Sequence, residues 1–124
     1  MASVTFDLKD GLLVGTTPQL ECEVREPTAG DIIAASEESE KVVMVALKPE
    51  LITSPTMMGI NTLRRQVVRI GEIAGPLERD MLDKLSADDL NLIQAKAEEL
   101  EAAARSVSQR GRDDGAGANN AAAH

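Results

Sequence analysis

Only one residue in this chain, Phe6, carries a phenyl ring, and Trp and Tyr are absent from all 124 positions. Any core must therefore be assembled from Leu, Ile, Val, Met and Ala. Helix packing does this readily, whereas an all-β sandwich leans on large rings. The length suits one modest domain with a core of its own. The shortage of rings points to a fold in which helices do much of the burying.

Strands are nevertheless written into the first 25 residues. "SVTFDLKDG" alternates: Val4, Phe6 and Leu8 point one way, Thr5, Asp7 and Lys9 the other. That is the period of a half-buried strand. "QLECEVRE" alternates again, placing Leu20, Cys22 and Val24 inward and Gln19, Glu21, Glu23 and Arg25 in water. Residues 3–8 and 19–25 are thus expected to pair antiparallel. Asp10-Gly11 is a turn signal, and "LLVGTT", interrupted by Gly15 and Pro18, leaves room for a short third strand.

Pro27 closes the second strand, because it cannot donate to a sheet ladder. Thr28 and Asp31 then have the spacing of a capping box, which predicts a helix from 28 to about 40. "KVVMVAL" is open between two readings: its β-branched residues favour a strand, and the missing breaker before it favours continued helix. "KPELITSPT" reads as a loop bounded by Pro49 and Pro55. A second helix is expected from Thr56, with Ile60, Leu63, Val67 and Ile70 forming a 3-4-3 stripe ended by "AGP" at 74–76. A short helix, "LERDMLDKL", follows. Ser86 with Asp89 repeats the capping-box spacing, and Leu90, Ile93, Ala97, Leu100, Ala104 and Val107 make a long amphipathic helix. The fold class is therefore α+β, with a small N-terminal antiparallel sheet followed by three to four helices. The domain is expected over 1–107, with a low-complexity, disordered tail over 108–124.

Chemistry is scarce. The one histidine is His124, the last residue, so acid–base catalysis through His is excluded. The single cysteine, Cys22, lies on an apolar strand face and reads as a buried structural thiol; no disulfide or zinc cage can be built within the chain. No glycine spacing suits a phosphate loop, and the adjacent Asp pairs lack the spaced ligands of a calcium loop. No catalytic, cofactor-binding or metal-binding residue is assigned. Net charge is −8, which disfavours nucleic acid and anionic membrane surfaces as partners and favours basic ones. The longest apolar run, "VVMVAL", is far too short to span a bilayer, and the start lacks the layout of a signal peptide. Arg64, Arg65, Arg69, Glu37, Glu38 and Glu40 read first as solvated helix faces.

The helical stripes are what remains for function. Leu63, Val67, Ile70, Leu90, Ile93, Ala97, Leu100 and Val107 are the candidate partner-contact residues. The competing reading is the domain's own core, which weighs more for residues 60–70 and for Leu90 and Ile93. An interface with a partner helix or a second copy weighs more for Leu100 and Val107.

The order of these segments resembles the tail assembly chaperone family of tailed bacteriophages, with its small E-type and Mu-type proteins. The resemblance is carried by "REPTAGD" at 25–31, "QVVRIG" at 66–71, Gly75-Pro76-Leu77, and Leu85-Ser86 with Asp88-Asp89-Leu90. Glu26, Pro27, Thr28 and Asp31 form its signature turn. The resemblance implies a non-enzymatic protein without cofactors, working in the host cytoplasm and absent from the mature virion. Its implied partners are the tape measure protein, which it keeps soluble, and the tail tube protein it helps recruit; a homo-oligomer is also implied. A longer, frameshifted form with its own C-terminal extension is known for many members. The alternative reading is a structural minor tail protein, a connector or tube component of the virion.

Overall fold

The computed structural model describes residues 2–115, with side chains described as far as residue 106. The fold is α+β. In chain order it runs β1 (Ser3–Val14), β2 (Thr17–Arg25), α1 (Ala29–Glu38), β3 (Glu40–Val45), β4 (Lys48–Thr53), α2 (Pro55–Gln66), β5 (Val67–Ile70), β6 (Ile73–Ala74), α3 (Arg79–Asp83) and α4 (Ala87–Gly115). One antiparallel sheet has the order β1-β2-β5-β6; β3 and β4 form a separate two-stranded sheet.

The first two strands pair as expected, from Ser3 opposite Arg25 to Val14 opposite Thr17. The connection holds no third strand, because β1 itself continues to Val14. A bulge between Asp7 and Leu12 absorbs the extra residues. Gly11 sits there at φ 73°, and a Cβ on it would run into the Gln19 carbonyl. The bulge also breaks the expected alternation of β2. Gln19 turns inward and accepts the Glu72 N–H at 2.9 Å, while Leu20 is exposed.

The stripe expected as helix over 60–70 is split. Helix α2 stops at Gln66, and Val67 and Ile70 belong to β5. Helical spacing and strand placement agree on burial here because β5 is bulged. Val67 faces Val24 and Ile70 faces Cys22, with Val68 the extra residue between. Two positions three apart thereby land on one face. "AGP" ends not a helix but the short β5–β6 hairpin.

Helix α4 packs across β1 and β2. Ile93, Ala97 and Leu100 enter the core with Leu8, Leu12, Cys22, Val24, Leu63, Val67, Ile70, Leu77 and Leu82. Phe6 is only half-buried and lies under Lys96, whose Nζ is 5.8 Å from the ring centre. The backbone of α4 stays helical to Gly115, past the Ser108 start expected for the tail; the rest of that tail and the Val107 side chain lie outside the described residues.

A buried carboxylate fixes the start of α4. Asp89 is fully buried and accepts the backbone N–H groups of Lys9 at 2.7 Å, Asp10 at 3.1 Å and Gly11 at 2.8 Å. Burial alone would raise its carboxyl, but these three bonds outweigh it and hold the group below the ordinary carboxylate range. The capping-box spacing with Ser86 is therefore only half used as such. The Ser86 hydroxyl accepts the Asp89 N–H at 3.2 Å, and the Asp89 carboxylate is spent on the β1 bulge.

Candidate functional site: an uncovered apolar hairpin on a helix pair

Helices α1 and α2 pack against each other, and the β3–β4 hairpin leaves from one end of the pair. The α1 start is built as its sequence predicts. The Asp31 N–H donates to Thr28 Oγ1 at 3.1 Å and the Thr28 N–H donates to Asp31 Oδ2 at 2.8 Å, closing the capping box. The Arg25 guanidinium donates to Asp31 Oδ2 at 2.7 Å and to the Arg65 carbonyl at 2.9 Å. One side chain on β2 thus holds the beginning of α1 and the end of α2. Chiefly through that Arg25 bond, the Asp31 carboxyl is lowered to about 2. In the same signature turn, Glu26 bonds back to Ala2, its N–H to the carbonyl at 3.2 Å. Pro27 lines a shallow groove with Ile32, Glu101, Ala104 and Arg105.

The other end of the pair is fastened by serines. Ser39 Oγ donates to the Ala35 carbonyl at 2.6 Å and accepts Asn61 Nδ2 at 2.9 Å; the Ser54 N–H donates to the Ser39 carbonyl at 2.9 Å. Ser54 also caps α2, with Pro55 in its first turn. Arg64 and Arg65, expected to be solvated, instead face Glu38 across the two helices. Arg65 makes a two-pronged pair at 3.1 and 3.0 Å, and Arg64 lies 3.8 Å away. Arg69 likewise pairs with Glu21 at 2.7 Å across β2 and β5.

Beyond Ser39 and Ser54, β3 and β4 pair only with each other among the described residues. The segment 41–47, open between strand and helix, is strand as far as Val45. The segment 48–53, expected as loop, is its partner β4. The correction has a physical cause. The turn is Ala46-Leu47, both at positive φ (52° and 66°), with no Gly or Asn to announce it. Pro49 also looks like a loop residue, yet an edge strand tolerates it.

The register sets Val42 opposite Leu51 and Met44 opposite Pro49. Cross-strand partners share a face, so these four residues make one apolar face, and the other carries Lys41, Ile52, Val43, Glu50, Val45 and Lys48. Val42 is 67%, Met44 65% and Leu51 63% exposed, and Leu47 at the tip is 92% exposed.

The residues expected to meet a partner lie elsewhere. Leu63, Val67, Ile70, Ile93, Ala97 and Leu100 are buried in the domain's own core, and Leu90 is half-buried against it. For Leu100, where an interface carried more weight, the structure assigns the core. The hairpin face was missed because its apolar residues sit two apart on either side of an unmarked turn. Period-two reading of 42/44 and 49/51 together would have found it.

Cys22 is fully buried, which pushes its thiol up to about 12, far from a nucleophile's range. Among the described residues no group of three His, Cys, Asp or Glu side chains is placed to hold a metal ion.

Comparison with known proteins identifies the class. The sequence pattern of the family described as tail assembly protein gp41 matches residues 8–112. The chain belongs to this family of phage tail assembly proteins. It is 41% identical over 116 residues to the probable tail assembly protein gp41 of Escherichia phage Mu, covering 89% of this chain and 81% of that one. The probable tail assembly protein FS-gp41 of the same phage is also 41% identical, over 88% of this chain but only 61% of its own length. The Mu-like prophage FluMu protein gp41 of Haemophilus influenzae is 40% identical over 86% of each chain. No solved structure matches.

Proposed function

We propose that this protein is a tail assembly chaperone. It binds the tape measure protein in the host cytoplasm, keeps it soluble, helps recruit tail tube subunits, and leaves before the virion is finished. The observation that carries this reading is the apolar face of Val42, Met44, Pro49 and Leu51, exposed on a hairpin that no other element covers among the described residues. Membership in a tail assembly family supplies the setting.

The face suits a helical client. Two strands about 4.8 Å apart form a strip about as wide as the ~10 Å diameter of one helix, and helix on sheet is a standard way to bury two apolar surfaces. Nothing in the site calls for catalysis; the work is temporary burial of a client's apolar stripe.

Co-expression with the tape measure protein of the same phage tests this. The wild-type chain is expected to keep the client soluble and to co-purify with it, and the double variant Val42→Lys, Leu51→Lys is expected to fold but lose both effects. An insoluble, unbound client beside the wild-type protein overturns the reading. So does stoichiometric recovery of this protein from mature particles, which would make it a structural tail component.

A further inference from the structure

We propose that two copies of this protein join edge to edge along β3, forming a four-stranded antiparallel sheet in the order β4-β3-β3-β4. This goes beyond the chaperone reading and stands on the backbone of the hairpin.

The turn decides which backbone groups are free. Positive φ at both Ala46 and Leu47 defines a two-residue primed turn, and Val45 opposite Lys48 is the hydrogen-bonded pair that closes it. Pairs alternate along an antiparallel ladder. Met44 with Pro49, and Val42 with Leu51, therefore point their N–H and C=O groups away from the hairpin. On β4 one of these outward positions is Pro49, which has no N–H, so that edge is blocked. On β3 the outward positions are Glu40, Val42 and Met44, all intact donors, and no other strand pairs with them among the described residues. The hairpin thus has one closed edge and one open edge.

The open edge fits itself. In a two-fold antiparallel pairing, outward residues must meet outward residues. Centring on Val43 sets Val42 of each copy against Met44 of the other. The neighbouring register, centred on Val42, would set Glu40 against Met44. Apolar matching selects the first. Charge also singles out this place for a second copy. The chain carries −8, so most approaches between copies are repulsive. The hairpin alone is balanced: Glu40 and Glu50 against Lys41 and Lys48. Pairing also relieves a weakness, since an isolated two-stranded sheet is marginal in water and left-handed backbone at Ala46 and Leu47 costs about 1 kcal/mol or more each. The product is one continuous face carrying Val42, Met44, Pro49 and Leu51 twice.

The test uses the full chain alone, without any client, so its failure is distinct from failure of the chaperone reading. Sedimentation equilibrium is expected to show a concentration-dependent dimer. Met44→Pro removes an outward N–H at an edge position where proline is tolerated, as Pro49 is opposite it, and is expected to weaken the dimer at least tenfold with unchanged circular dichroism. Val43→Cys supplies a second readout that does not depend on Met44→Pro folding. With an added oxidant it is expected to give a disulfide-linked dimer, because position 43 meets itself, while Cys22 stays buried and silent. Val42→Cys is expected to crosslink far less. A monomer at all concentrations, or crosslinking at 42 in preference to 43, overturns the proposal.

Discussion

The protein contains two long antiparallel hairpins with two-residue turns, and they have opposite fates. The β1–β2 hairpin turns at Gly15-Thr16, is extended by β5, is roofed by α4 and is stapled by Asp89. The β3–β4 hairpin turns at Ala46-Leu47, is extended by nothing among the described residues and keeps its largest side chains in water. Similar backbone, differently covered, makes a core in one place and a contact surface in the other. What separates them is the third element that packs on top.

That contrast can be broken by mutation. Asp89→Ala strands three backbone donors at the β1 bulge and is expected to cost about 3–5 kcal/mol in denaturant unfolding. Ile93→Ala, inside the roof, should cost about 3 kcal/mol. Leu51→Ala, on the uncovered face, should stay within about 0.5 kcal/mol. Equal losses at Ile93 and Leu51 would mean that the second hairpin is covered after all.

Acid probes the junction where α1 leaves the main sheet. Asp31 is lowered from 3.8 to about 2, and Asp89 is lowered too. For a depressed carboxylate the unfolded chain takes up the proton first. The stability from Asp31 is therefore complete above about pH 4 and is lost as pH falls toward 2, on the order of 2 kcal/mol. Asp31→Asn should flatten that part of a stability-versus-pH curve. Smaller still, Ala46→Asn with Leu47→Gly gives the exposed turn residues suited to positive φ, and a gain of about 1 kcal/mol is expected in the same unfolding measurement.

Much of the covered half could be read from the sequence. Alternation located β1 and β2, Thr28 and Asp31 located α1, and a 3-4 spacing located α4, because each signal is local. Three features escaped for a shared reason: they depend on backbone that side chains do not announce. The β1 bulge reversed Gln19 and Leu20. The β5 bulge let Val67 and Ile70 imitate a helix. A turn made of Ala and Leu hid β4 and, with it, the candidate site. The apolar stripes, open between core and partner, are legible as burial signals, but burial within the chain and burial against another chain look alike in sequence.

The two fastenings of the helix pair have a mechanical consequence. Ser39 and Ser54 sit where the hairpin departs, and Arg25 clasps the far ends of α1 and α2. A tug on the tip at Leu47 therefore runs down two helices and reaches the main sheet where the Arg25 guanidinium, the Gln66 amide on the Arg25 carbonyl and the buried Leu63 side chain hold them. The hairpin is thus anchored at both ends of the helix pair, so a load on its tip is shared between the serine fastening and the main sheet.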